Sequence, residues 1–343
     1  MKKIIVLCTA LLTALLLTGC GQTTKTDSAQ ETPEDTPQRE KITLGLTYIP
    51  DVQFGPLYVA LEKGYFDEAG LDVTLRHHGA QEALFGALES GAEDIVFAGA
   101  TEMMQARSQG LDVVNWATLY QKYPVTLITP TSAGVTSPAD LIGKKIGLPG
   151  PYGENYYALL AMEDSYELKD KITPSYIGYT QTAALMGNEV DAIIGFENND
   201  LIALEQAGLD VEQINMVKGT MPLVGVGLGS LKSNLNPKVY AKVLGAIEKG
   251  VKDSQSDPQA AMDIIAEHVP SLADPQQRAL AEKVFDATLK LYAGSEEFGY
   301  QDPQLWEKMS IFLANTGIVD KAVPPLSAFT AEVVKLNEAA KAQ

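Results

Sequence analysis

Eight ring-bearing residues stand where a strand is expected to hand over to a helix: Tyr48, Phe54, Tyr120, Tyr123, Tyr152, Tyr156, Tyr179 and Phe196. Gln53, Thr101, Asn155, Gln181, Asn198 and Asn199 share those loops and offer hydrogen bonds, and Glu197 is the one well-placed acid. Rings stack on flat aromatic groups for roughly 0.5–1.5 kcal/mol beyond simple burial, while amides read a donor–acceptor edge. The loop 48–55 carries two rings and an amide but no cation, so it reads as one wall of a site for a neutral, flat, aromatic ligand. For any single tyrosine the alternative is ordinary packing at a strand end. Tyr58, Tyr65 and Phe66 lie on the first helix and at its end, and read as core. A sulfonate or nitrate site would need a guanidinium at a loop, because its planar fork matches an oxyanion. Arg76 falls just beyond a strand and Arg107 within a helix. The loop Gly150 to Glu154 opens a helix and could hold an anion on its N–H groups, but Glu154 would repel it. Glu102 behind Thr101 reads as a helix-dipole partner.

Other chemistries find little support. His77-His78 follows a strand with no third ligand at a recognisable metal spacing. His268 is late in a helix, where it suits the surface or a C-terminal cap. With three histidines and no Gly-x-Ser-x-Gly, no nucleophile–base pair can be assembled. No catalytic residue, metal or cofactor is therefore expected. The formal charge of −18 argues against nucleic acid.

The chain's 343 residues, 45% hydrophobic, can bury a large core, in about two domains at ~150 residues each. Lys2, Lys3 and the apolar run Ile4 to Leu17 read as a signal peptide over residues 1–20. Leu17-Thr18-Gly19-Cys20 resembles a bacterial lipobox, which makes Cys20 the expected lipidation site; Cys8 lies inside the leader. Residues 21–40, rich in Thr, Gln, Pro and Glu, are expected to form a disordered tether. From Ile42 strands and helices alternate with short connections, which predicts an α/β fold of βαβ units with mainly parallel sheets. Helices are expected at 56–64, 80–90 and 103–109, the last with Thr101 as its N-cap. The pattern begins again after Val125 to Ile128 and runs to Ala207. Leu223 to Leu228 is expected to pass back to the first lobe beside Val125 to Ile128, giving two crossing hinge strands. Everything after Pro237 reads as helical and is expected to pack on the first lobe. The expected division is 41–126 with 224–343 as lobe 1, and 127–223 as lobe 2.

Tyr58-Val59-Ala60-Leu61-Glu62-Lys63-Gly64-Tyr65-Phe66 followed by Gly70-Leu71-Asp72-Val73 resembles the substrate-binding lipoproteins of ABC importers, in the group that binds thiamine-pyrimidine precursors, sulfonates and riboflavin. Ser137 to Gly147 and Gly187 to Ala192 extend the resemblance, which covers about Lys41 to Thr330. It implies a two-lobed periplasmic-binding-protein-like clamp of type II that closes on its ligand. Tyr48 to Phe54, Tyr120 to Pro124, Pro149 to Gly153 and Ile177 to Gln181 look most like the riboflavin binders. Pyrimidine-precursor binders usually carry a histidine where this chain has Phe54. Related folds include an enzyme making the thiamine pyrimidine through a cysteine-rich segment, which this chain lacks. The resemblance thus implies a monomer, lipid-anchored on the outer side of the cell membrane, delivering riboflavin to an ABC permease. A thiamine pyrimidine precursor, or another small heteroaromatic, is the alternative ligand. A ligand-sensing module, or an extracellular protein handing on flavin, is the alternative of another class. The residues expected at the ligand are Tyr48, Gln53, Phe54, Thr101, Tyr120, Tyr152, Asn155, Tyr156, Tyr179, Gln181, Phe196, Glu197 and Asn198.

Overall fold

A computed structural model describes residues 39–79, 82–294 and 296–342. The expected leader, Cys20 and the tether up to residue 38 lie outside the described residues. The tether was expected to reach residue 40, but strand pairing already begins at Glu40, whose N–H donates to the Gly70 carbonyl at 3.2 Å.

Strands β1 (Glu40–Leu46), β2 (Leu71–His77), β3 (Ile95–Gly99) and β4 (Val113–Thr118) come first in the chain. They are followed by β5 (Val125–Pro130), β6 (Lys145–Leu148), β7 (Thr173–Tyr176), β8 (Ala192–Phe196), β9 (Val211–Ile214) and β10 (Val226–Leu231). One sheet has the order β2-β1-β3-β10-β4 and the other β7-β6-β8-β5-β9. The two orders are the same pattern. In each, three parallel strands are joined by an antiparallel one, β10 or β5, that has just arrived from the other sheet. The helices follow parallel strands, so loops at the strands' carboxyl ends line one edge of each sheet, where ligands bind in open α/β folds.

The return strand reaches the first sheet, as expected of a segment passing back to the first lobe, but not in the expected place. β10 does not run beside β5; each sits inside its own sheet. What lies side by side is the pair of connecting segments, with the N–H groups of Leu119 and Tyr120 both 2.9 Å from the Val226 carbonyl oxygen. A Cβ on Gly225 would collide with the Tyr120 carbonyl oxygen, so only glycine allows this approach.

Local starts and stops explain most helix boundaries. Four of the later helices open on an Asx-Pro pair, with Asn236, Asp257, Asp274 and Asp302 each accepting from a first-turn N–H. Pro supplies the helical φ where no N–H bond is needed. Between the two strands β2 and β3 the helix is only Gly86–Ser90, much shorter than the expected 80–90, part of which lies outside the described residues. The helix after β3 starts at Ala100 with Gly99 in the capping position, two residues earlier than a Thr101 cap would give. Strand β9 escapes pattern reading because its four residues, Val-Glu-Gln-Ile, expose their middle.

The helical tail divides between two cores, in contrast to the expected packing on the first lobe alone. Helices Pro237–Ser256, Pro258–His268, Pro275–Leu291 and Glu332–Lys341 bury Leu244, Ile247, Ile265, Phe285 and Val333 against Leu44, Leu46 and Trp116. Helix Pro303–Asn315 instead places Trp306, Met309, Phe312 and Leu313 with Leu127, Ile146, Leu148 and Ile194 of the second sheet. Ala100 and Met104, from the helix after β3, join that second core. Among the described residues no helix is long and apolar enough to cross a membrane.

Candidate functional site

Three of the expected rings stand exposed at strand ends of both sheets: Tyr48 after β1, Tyr152 after β6 and Tyr179 after β7, at 49%, 54% and 75% exposure. They are neighbours. The Tyr179 phenol is held above its ordinary pKa by partial burial and then by the nearby phenols of Tyr152 and Tyr48. Ile49 beside Tyr48 is also exposed. The Tyr48 backbone is fixed from below, its carbonyl oxygen 3.0 Å from His77 Nδ1, and the other His77 nitrogen lies 3.0 Å from the Tyr58 hydroxyl. Burial holds the His77 pKa below its usual value, so the ring bridges the two tyrosines as a neutral imidazole.

Other expected residues form the support under this rim. Phe54 is buried, edge-on to His77 and to Phe97 with ring centres 5.5 Å apart in each case. Tyr120 is buried against Phe97 and Tyr292, and burial raises its phenol well above the usual range. Asn155 is spent on structure, its Nδ2 donating to the Ile194 carbonyl at 2.7 Å. Thr101 is fully buried beneath the tail, its hydroxyl 3.5 Å from Met309 Sδ. Gln181 is buried, while Tyr156 and Phe196 are half-buried against the second core.

Two expected residues join the lobes. Asn198 Nδ2 donates to Gln53 Oε1 at 3.0 Å and to Thr288 Oγ1 at 2.8 Å. Its own Oδ1 is buried without a partner. Glu197 forms an ion pair with Lys122 at 3.8 Å, so the acid expected to accept from a ligand already faces a cation. Residue types alone did not single out Asp200 or Tyr157. Asp200 accepts from the Phe196 N–H at 2.7 Å, and burial pushes its carboxyl up to about 6. Tyr157 donates across the seam to Gln105 Oε1 at 2.7 Å. Its only signal in the sequence is a place one helical step from Tyr156. His77 supports the rim through Tyr48 and Tyr58, and Glu154, the acid expected to repel an anion from its loop, accepts from the Tyr123 hydroxyl. Among the described residues no cluster of three metal-ligating side chains occurs.

A family model described as NMT1/THI5 like matches residues 51–261. The chain belongs to the NMT1/THI5-like family. It is 31% identical to the Riboflavin-binding protein RibY of Chloroflexus aurantiacus, across 97% of this chain and 99% of that protein. It is 26% identical to the Formylaminopyrimidine-binding protein of Halalkalibacterium halodurans, across 93% and 96% respectively. At 23% identity, over 83% of this chain and 85% of the other, it is similar to a 4-amino-5-hydroxymethyl-2-methylpyrimidine phosphate synthase of Aspergillus parasiticus. Among solved structures, the periplasmic aliphatic sulphonate binding protein SsuA from Escherichia coli superposes with a TM-score of 0.66 at 14% identity, covering 84% of this chain and 91% of that one. This NMT1/THI5-like chain therefore has the periplasmic-binding-protein fold, with two mixed sheets and a helical C-terminal region.

Proposed function

We propose that the protein captures riboflavin outside the cytoplasm and delivers it to the permease of an ABC importer. The observation that carries this reading is the gathering of Tyr48, Tyr152 and Tyr179, exposed, at strand ends of both sheets. Exposed rings from opposite lobes are suited to sandwich an isoalloxazine. The 31% identical relative named as riboflavin-binding supports the same ligand. Acids outnumber cations around the rim, with Asp51, Glu197 and Asp200 against Lys122, which favours an uncharged guest over a phosphorylated one. A lipid on Cys20 would hold the monomer at the outer face of the membrane, each buried methylene contributing about 0.8 kcal/mol.

Titration of riboflavin into the protein tests this, because stacking on tyrosine quenches flavin fluorescence. Tyr48→Ala and Tyr179→Ala should each weaken binding by about tenfold, the value of one stacking contact, with the melting temperature unchanged. Absence of quenching, or wild-type affinity in both variants, would overturn the assignment. The second reading is a pyrimidine precursor, favoured by the formylaminopyrimidine-binding relative; calorimetry with that pyrimidine separates the two. We infer a binding protein rather than a catalyst, although one relative is named a synthase. Conversion of bound ligand to any new product on prolonged incubation would reverse that inference.

A further inference from the structure

Tyr48 and Tyr152, one on each lobe, are both seated by a residue that stands behind them. Tyr48 sits in the bend 47–50, outside any strand or helix. Its N–H donates to the Leu46 carbonyl at 2.7 Å, and the His78 N–H reaches the same oxygen at 2.9 Å. The Tyr48 carbonyl oxygen is taken by the His77 ring, 3.0 Å from Nδ1. A carbonyl oxygen only accepts, so Nδ1 carries the proton and Nε2 keeps a lone pair. The Tyr58 hydroxyl, 3.0 Å away, donates into that lone pair. Tyr58 is fully buried, and Phe54 stands edge-on to the imidazole with ring centres 5.5 Å apart. The imidazole is thereby fixed in tautomer as well as in place. The pair His77-His78, which had no metal to bind, grips residues 46–48 through one ring and one backbone N–H.

On the other lobe Tyr152 directly precedes the helix Gly153–Tyr166 and lies over Gly150. A Cβ on Gly150 would collide with Tyr152 Cε1 and come 2.9 Å from both Cδ1 and Cζ, so the ring rests on the bare Cα. Gly150 is buried beneath a tyrosine that itself remains exposed. The Gly150 backbone does not take the left-handed conformation, so alanine is unstrained there and acts first on the ring.

We propose that His77 and Gly150 are positioning residues, one on each lobe, which set Tyr48 and Tyr152 as walls of the site without touching the ligand. This rests on the reading of those two tyrosines as ligand walls. Side chains already held in the binding geometry lose less freedom when a guest arrives, so groups that never meet it contribute to its affinity. His77 acts through a hydrogen bond, and Gly150 acts through the Cβ it lacks. An asparagine amide nitrogen lies as many bonds from Cα as Nδ1 does, so His77→Asn keeps a donor for Tyr48. A glutamine amide nitrogen matches Nε2 instead and faces Tyr58.

Riboflavin titration reads both residues. His77→Ala and Gly150→Ala should each weaken binding about fivefold, the value of one hydrogen bond or one stacking contact. His77→Asn should recover wild-type affinity, and His77→Gln should not. With Tyr48→Ala already in place His77→Ala should cost nothing further, and Gly150→Ala should cost nothing further beside Tyr152→Ala. Additive losses in either pair would overturn the role of that residue. Should His77→Ala fail to fold, the asparagine and glutamine variants carry the comparison. Two nuclear magnetic resonance readings need no ligand. The Tyr48 carbonyl shares a peptide unit with the Ile49 N–H, whose order parameter should fall in the alanine and glutamine variants and hold in the asparagine one. The Gly150 α-protons should be shifted upfield by the Tyr152 ring and return to their ordinary range in Tyr152→Ala. An unchanged Ile49 order parameter in His77→Ala, or Gly150 α-protons indifferent to the loss of the ring, would overturn the proposal. If riboflavin does not bind, only the assignment of the ligand fails, and these two readings still decide on His77 and Gly150.

Discussion

Asp200 accepts from the Phe196 N–H and lies near the Tyr48 phenol, while burial lifts its carboxyl up to about 6. A carboxyl whose folded pKa is raised contributes stability that is fully present below the unfolded value, near ~3.9, and lost as pH rises through the folded one. Asp200→Asn keeps an acceptor for the N–H and removes the charge. Between about pH 4 and pH 6.5 its urea midpoints should fall less steeply than the wild type's, by up to about 2 kcal/mol in unfolding free energy. Parallel midpoint curves for the two proteins would show that Asp200 ionises as it does in the unfolded chain. At this scale residue type put Tyr48, Tyr152 and Tyr179 after strands, and the structure leaves their rings exposed. Phe54, Tyr120 and Thr101 stand in the same kind of loop yet are buried. A loop's composition says which groups are near an edge, whereas the side of the backbone they leave from depends on dihedrals set by distant packing.

The helix Pro303–Asn315 shows how one element ties the lobes. Trp306 is fully buried, stacks on Phe329 with ring centres 5.1 Å apart, and donates from Nε1 to Gln301 Oε1 at 2.8 Å. Gln301 in turn donates to Asn115 Oδ1 at 2.6 Å and accepts from Thr118, both on β4 of the first sheet. Trp306→Ala should therefore cost about 3–5 kcal/mol, the range for removing a large buried ring. Hydrogen exchange should quicken in β4 and in the strands of the second sheet together. Faster exchange confined to one sheet would mean that the helix serves a single lobe. The element itself was legible, since Asp302-Pro303 starts it and apolar residues recur at helical spacing. Its partner was not. An amphipathic face states that something must cover it and leaves open which core does so.

For the whole molecule the connecting segments decide how the lobes can move. At Gly225 they lie too close for a Cβ, which would strike the Tyr120 carbonyl oxygen, with Leu119 and Tyr120 bonded to Val226 beside it. Gly225→Ala should separate the segments at a cost of about 1–3 kcal/mol, as overpacking does. A melting temperature equal to the wild type's would show that the crossing has slack. Alternating strands and helices, a restart after Val125 and Asx-Pro helix openings were enough, by themselves, to determine an α/β chain in two units with a helical tail, because such patterns are local consequences of backbone geometry. Only the tertiary structure decided that β10 lies between β3 and β4 and not beside β5, that the tail serves both cores, and that Glu102 meets Glu154 across the seam. Those facts join residues dozens of positions apart, where the outcome rests on which surfaces exclude water together and no short stretch of sequence records the choice.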